Sequence, residues 1–398
     1  MSTISLIQFE DSLGNAISEV LQVPNVIDTA QLKSLINTTQ ELYINGNIIS
    51  ATLENALTQS QLNNLEEIKK IKLSQDLPSA KPAFYCSSTY SGHEGPVLCT
   101  KYANSILVTS GGDKTVRFWD LLTKTQFNIV QKHNHWVTCL DFNDRFIVSG
   151  GMDGIVNIYD YKGNFVRCFA RHKDGISALK IDTDKIISCS RDSTCIVWDF
   201  EGNVLLNWNH SKAIKSLCLY NGIVITGGAD NRIRVYKECP NKKEIKYYCE
   251  LVGHSSQINC IEAFGNYVIS GDDSGHIIIW KDFKLHKRIK HKREVISLSI
   301  NPNGMSFASG SFDKTVKLWN IETGETLLTY FHVHFVYKVK VVNDMIISSS
   351  KDRTVKMYRI SQKKVVSDFV CDDEIYDFDY FNGHLVCGSK NNKVYFFD

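Results

Sequence analysis

At 398 residues the chain is too long for one ordinary domain and suits one large repeat domain beside a small one. A hydrophobic content of 43% supports a sizeable core, and a formal net charge of +2 excludes a surface that is wholly an electrostatic glove for nucleic acid. The 12 cysteines are scattered without a Cys-x-x-Cys pair, which argues against zinc and for buried thiols in a reducing compartment. No apolar run approaches the roughly 18 residues of a membrane span, and MSTISLIQFED lacks the layout of a signal peptide, so a soluble intracellular protein without membrane contact is expected.

The first 75 residues carry their own pattern. ISLIQF at 4–9 predicts a strand, DSLGN at 11–15 a turn, and AISEVLQV at 16–23 a second strand. Asp28 and Gln31 form a capping pair, and Leu32, Leu35 and Ile36 give the following helix one apolar face. ELYI, the turn Asn45-Gly46 and NII predict a hairpin, and a last strand falls near Ile68, Ile71 and Leu73. This ββαββ order resembles a ubiquitin-like fold, a small α+β domain over 1–75. LSQDLPSAKPAF contains two of the six prolines, which makes 76–83 a linker.

From residue 84 the chain repeats. Eight turn positions stand six residues before an aromatic: Asp113, Asp153, Asp192, Asp230, Ser274, Asp313, Asp352 and Asn391. Their spacings are 40, 39, 38, 44, 39, 39 and 39 residues, and the aromatics run from Trp119 to Phe397. A histidine stands 20 residues before six of the turn positions, from His93 to His332, and His291 stands 22 before Asp313. The eighth unit has Cys371 instead. Apolar residues alternate with period two on both sides of each turn, as in ILVTSGGDKTVRFWD. Gly92-His93, Gly253-His254, Trp119-Asp120 and Trp198-Asp199 carry the "GH…D…WD" signature, so residues 84–398 resemble the WD-repeat family.

That resemblance implies an all-β eight-bladed propeller, closed by residues 84–90 as the outer strand of the last blade. It also gives the conspicuous polar residues a structural role, tying each blade together by hydrogen bonds. The full sets are His93, Thr109, Asp113 and Trp119; His172, Ser188, Asp192 and Trp198; and His291, Ser309, Asp313 and Trp319. A catalytic set would be unique to one pocket, whereas these recur around a ring, so no enzyme is expected.

A ubiquitin-like segment ahead of eight WD repeats resembles the Notchless family of large-subunit ribosome assembly factors. The likeness is carried by MSFASGSFDKTVKLWNIETGETLLTYFHVHFVYKVKVVNDMIISSSKDRTVKMYRI, by GGDKTVRFWDL with HNHWVTCLDF, and by Asp372-Asp373-Glu374-Ile375-Tyr376. The resemblance implies a propeller docked on the pre-60S particle, against ribosomal proteins and rRNA, as a monomer in the nucleus and nucleolus. It implies that the N-terminal domain recruits midasin, an AAA+ ATPase, for ATP-driven remodelling. A carboxylate there would complete the Mg²⁺ of the partner's metal-ion-dependent adhesion site, the chain holding no cofactor of its own. LEEIKKIKL matches the family's stretch at Glu66, with Glu67 one residue away as the other choice of register. Oxygen ligands suit a hard divalent cation. Short loops, Ser274, Asn391 and Cys371 mark a trimmed, divergent member.

FKLHKRIKHKR at 283–293 contains Lys287, Arg288, Lys290, Lys292 and Arg293, which could touch RNA or a partner, or form a solvated outer strand. Trp136 and Tyr376 are either partner anchors or blade packing. The alternative function is a substrate receptor of a ubiquitin ligase, or another scaffold, with an F-box-like helical N-terminus.

Overall fold

The computed structural model describes residues 4–10, 18–24, 26–35, 42–44, 47–48, 52–53, 68–73, 86–103, 106–239 and 244–397. Contacts divide the chain into two units, Met1–Lys81 and Pro82–Asp398. The linker residues 76–83 lie outside the described residues.

The first unit holds β1 (Ile4–Glu10), β2 (Leu21–Pro24), α1 (Thr29–Leu35), β3 (Leu42–Ile44), β4 (Asn47–Ile48) and β5 (Ile68–Leu73). Its sheet order is β2-β1-β5-β3-β4. The first and last strands lie parallel at the centre, and β2 flanks β1 antiparallel. Alternation in β1 buries Ile7 and Phe9, which pack with Val23, Leu32, Leu42, Leu53 and Ile71. Asp28 Oδ1 accepts from Gln31 N at 2.7 Å while Gln31 Oε1 accepts from Asp28 N at 3.3 Å, so two orphan donors of the helix start are satisfied reciprocally. Leu35 departs from the expected apolar face and is exposed, because the single buried stripe of α1 narrows to Leu32. Ile36 lies outside the described residues.

The second unit is a ring of eight four-stranded antiparallel sheets. The innermost strands are Val97–Ala103, Val137–Phe142, Ile176–Ile181, Ile214–Tyr220, Ile258–Phe264, Val295–Ile300, Val336–Val342 and Ile375–Phe381, in blades one to eight. Blade eight takes its outer strand from ahead of blade one: Cys86–Ser91 pairs antiparallel with Lys393–Phe397. Closure of this kind removes two sheet edges that would otherwise template pairing with other chains. The core is correspondingly a ring. Eight apolar clusters sit one in each seam between neighbouring blades, such as Val148, Phe169, Ile176 and Trp198 between blades two and three.

Buried polar relays register blades one to seven. In blade one, Trp119 Nε1 donates to Thr109 Oγ1 at 2.8 Å, Thr109 Oγ1 meets His93 Nε2 at 2.8 Å, and His93 Nδ1 meets Asp113 Oδ2 at 2.8 Å. Blade three repeats this through Trp198, Ser188, His172 and Asp192, and blade six through Trp319, Ser309, His291 and Asp313. Blade five does so too, but with Asp272 on His254 at 2.8 Å. Ser274, which stands in the register of the turn aspartates, therefore marks no loss of the acid. The acid sits two residues upstream, and Ser274 Oγ donates to it at 2.8 Å. In blade seven the aromatic donor comes from the preceding blade, with Tyr330 OH donating to Ser348 Oγ at 3.0 Å. Blade eight changes all its relay positions together: Cys371, Cys387 and Phe397 join one apolar cluster, so no histidine is stranded.

The turn acid has a second task. The residue after each turn position is left-handed, at φ 67° for Lys114, 75° for Ser193 and 71° for Lys314, where only Gly154 and Gly275 are unstrained. Asp113 Oδ1 accepts from Thr115 N at 3.1 Å and holds that turn.

Burial lowers the pKa of His93, His172, His210, His291 and His332 below the ordinary 6.5 and keeps the rings neutral. Burial alone would raise the Asp113, Asp313 and Asp352 carboxyls, but the histidine, threonine and backbone hydrogen bonds outweigh it and hold them well below 3.8. Both groups thus have depressed native pKa values. Unfolded imidazoles take up protons as pH falls through 6.5 while the buried ones do not, and the carboxylates follow below 3.8. Stability is predicted to be full above pH 7, to decline as pH falls from 6.5, and to drop further below 4. Melting temperatures across pH 7.5 to 3.5 check this, and a flat profile between 7 and 5 would contradict it.

Candidate partner-binding face

Each blade meanders, so the loop entering its inner strand and the turn between its second and third strands lie at the same end of the ring. This end carries all the relay histidines and turn acids. Both ring nitrogens of His93, His133, His172, His210, His254, His291 and His332 are engaged, by a hydroxyl and by an acid. None of these rings is available as a general base for a ligand at the surface.

The central channel is also committed to structure. Asp377 Oδ2 accepts from Thr100 N at 2.7 Å and Asp379 Oδ2 from Tyr102 N at 2.9 Å, so blade eight caps the exposed backbone of blade one. Lys338 and Lys340 of blade seven reach the same two carboxylates at 2.5 Å. Ser297 and Ser299 of blade six cap Val339 N and Val341 N of blade seven in the same way. Burial alone would lower the Lys101 ammonium, but Asp141 and Asp379 hold its pKa up. The charges of Lys338, Lys340, Asp377 and Asp379 are thus spent on one another. Among the described residues no cluster of three or more His, Cys, Asp or Glu could hold a metal ion.

One surface on the relay end is different in kind. Phe312, in the turn of blade six, stacks on Phe335, in the loop entering blade seven, with ring centroids 4.6 Å apart. Tyr337 stands edge-on to Phe312 at 6.2 Å, and Tyr376 follows at 5.6 Å from Tyr337. Two cations flank the stack, Arg293 at 5.2 Å and Lys351 at 5.8 Å from the Phe335 ring. Glu374 anchors the far side, accepting from Tyr337 OH and Lys390 Nζ at 3.0 Å each. All four aromatics are half-buried, so edges are open while bodies are held. Rigid aromatics with flanking arginine are the usual anchors of an interface.

The residues singled out in the sequence fall in several places. Tyr376 lies in this patch. Trp136 is also at the relay end, 48% exposed, with His135 against it at 5.8 Å. The basic stretch is divided. Lys287, Arg288 and Lys290 are exposed on the outer strand of blade five, where Arg288 Nη2 donates to Gly253 O at 2.8 Å. Lys292 and Arg293 are in the next loop, and of the five Arg293 alone reaches the aromatic stack. Glu66 and Glu67 lie outside the described residues. Phe312 and Phe335 were missed by sequence reasoning. Their signal is a large aromatic directly before the turn acid Asp313 and another three residues after the relay histidine His332.

Comparison with known proteins agrees with this architecture. The family described as WD domain, G-beta repeat matches residues 84–120, 124–160, 163–199, 245–281 and 283–320. The family described as TEP-1 C-terminal beta-propeller matches 332–398. Telomerase protein component 1 of Mus musculus is 32% identical over 125 residues, 29% of this chain and 5% of that protein. Mitochondrial division protein 1 of Schizosaccharomyces pombe is 24% identical over 236 residues, covering 53% of this chain and 36% of that protein. The guanine nucleotide-binding protein subunit beta of Oryza sativa subsp. indica is 24% identical over 270 residues, 62% of this chain and 60% of the relative. The chain therefore spans from a twentieth to about three fifths of the length of these curated relatives. The crystal structure of the computationally designed Ika8 protein superposes with a TM-score of 0.71 at 26% identity, covering 77% of this chain and 96% of that one. With eight closed blades, seven histidine relays and five matched repeats, the chain is an eight-bladed β-propeller of WD40 repeats.

Proposed function

We propose that this chain is a protein-interaction scaffold that holds a partner segment on the relay end of blades six to eight. The observation that carries the reading is the Phe312–Phe335 stack between Arg293 and Lys351. Its cations and open ring edges suit an extended segment with an apolar anchor beside acidic residues. The relays beneath it make the loops rigid, so little ordering entropy is lost on binding.

A second, finer reading is favoured by the first unit. Parallel pairing of β1 with β5 and the helix α1 support a ubiquitin-like domain. The described part of β5 is Ile68–Leu73, and Glu66 and Glu67 come directly before it in the sequence. That is where an adaptor of the Notchless type would present a carboxylate to the Mg²⁺ of a midasin-type ATPase. On this reading the chain is a nucleolar assembly factor of the pre-60S particle, with Lys287, Arg288 and Lys290 facing RNA or ribosomal protein.

One purification tests both readings. The tagged full-length chain is compared with Phe335→Ala/Lys351→Glu and with Glu66→Ala, in Mg²⁺. The double variant is expected to lose its main partners at least about tenfold, with melting unchanged, since central anchors cost about 2 kcal/mol or more. Undiminished recovery would refute the blade six to eight surface. Co-purification of pre-60S particles and a midasin-type ATPase, the latter lost in Glu66→Ala, is the outcome expected for the assembly factor. A cullin scaffold in their place would overturn it.

A further inference from the structure

The end of the ring opposite the relays holds a cavity of about 550 Å³ between blades seven and eight. Its walls are Met345, Met357, Phe369, Tyr380, Leu385 and Phe397. That volume falls within the range of small-molecule sites, which are mostly apolar with a few placed polar groups. Beside His384, two such groups in the lining stand out.

The first is Ser367. Its side chain is 1% exposed and lines the cavity, yet its hydroxyl has no hydrogen-bond partner among the described residues. A buried unsatisfied hydroxyl is uncommon in a native fold and calls for a partner.

The second is Arg359, directly after the third-strand aromatic Tyr358, a place that Lys237 and Lys281 fill in blades four and five. Asp120, Asp160, Asp199 and Asn320 stand at the same place in their blades, directly after the third-strand aromatic. Each caps the turn that follows, as Asp120 Oδ1 does for Leu122 N and Thr123 N at 2.9 and 2.7 Å. In blade seven another residue does that work. Asp344, from the neighbouring turn, accepts from Ser361 N at 2.9 Å and from the Ser361 hydroxyl. Arg359 is thereby released from turn capping, lines the cavity, and has no ion pair among the described residues. A partly buried guanidinium without a carboxylate favours an anion. Gly383 also lines the cavity, and a side chain there would meet no atom within 4 Å, which leaves room for a ligand beside it.

We infer that the cavity between blades seven and eight binds a small amphipathic carboxylate, its apolar body among the methionines and aromatics and its head on Arg359 and Ser367. The site is independent of the partner face at the other end of the ring.

Isothermal titration of the full-length chain tests this, with dodecanoate and dodecanol as the probes. Dodecanoate is expected to bind once per chain and about tenfold tighter than dodecanol, the contribution of one charge-assisted contact. Arg359→Gln should remove that preference and leave dodecanol binding unchanged. Met345→Trp, which fills the cavity, should lose both probes, with melting temperature verifying that each variant is folded. No saturable binding, equal affinity for the two probes, or dodecanoate preference retained in Arg359→Gln would each overturn the assignment. So would full binding by a folded Met345→Trp.

Discussion

A single hydroxyl, repeated around the ring, is the interaction on which the rest depends. In blade six it is Ser309 Oγ, which accepts from the Trp319 indole at 2.7 Å and meets His291 Nε2 at 2.7 Å. With the imidazole neutral and Asp313 ionised, the direction of every proton in the chain is set: indole to hydroxyl, hydroxyl to imidazole, imidazole to carboxylate. Third strand, second strand, entry loop and turn are locked to one another in a single line. No lone pair or proton in that line is stranded, which is what makes a buried polar network favourable. Burial enforces the protonation states and the protonation states enforce the geometry.

This local lock has a global counterpart in the seams. Aromatic side chains from the outer strand of one blade lie on the relay aromatic of the next, as Tyr90 does on Trp119 at 5.1 Å and Phe169 on Trp198 at 5.1 Å. The first of these pairs joins the closing strand to blade one. Together with Asp377 and Asp379 capping Thr100 and Tyr102, it binds the two ends of the propeller chain. A ring built in this way leaves its loops rigid and its surfaces free. Binding can therefore be located by asking which exposed side chains are not already spent on relays, caps or seams.

The eight-fold spacing made the propeller legible from the sequence, because turn, histidine and aromatic recur in one register. What spacing could not convey was substitution of one residue's task by another. Asp272 was hidden because its carboxylate reaches His254 from two residues upstream, whereas the register pointed to Ser274. Arg359 was unremarkable for the converse reason: Asp344, on a different turn, had taken over its capping role. The aromatic surface was hidden by distance along the chain. Phe312 and Phe335 are 23 residues apart and belong to different blades, so no local pattern unites them. In the first unit the order of elements was readable, while the exposure of Leu35 was not, since periodicity gives a stripe but not its width.

The most direct measurement is the unfolding free energy of Ser309→Ala against the unaltered protein, by urea denaturation. Removing the shared hydroxyl leaves the Trp319 indole and His291 Nε2 buried without partners. The relay predicts a loss of about 2–3 kcal/mol, together with faster solvent exchange of the Trp319 indole proton. A loss below about 0.5 kcal/mol, within the range of an ordinary surface substitution, would contradict the relay's role as the element that holds each blade.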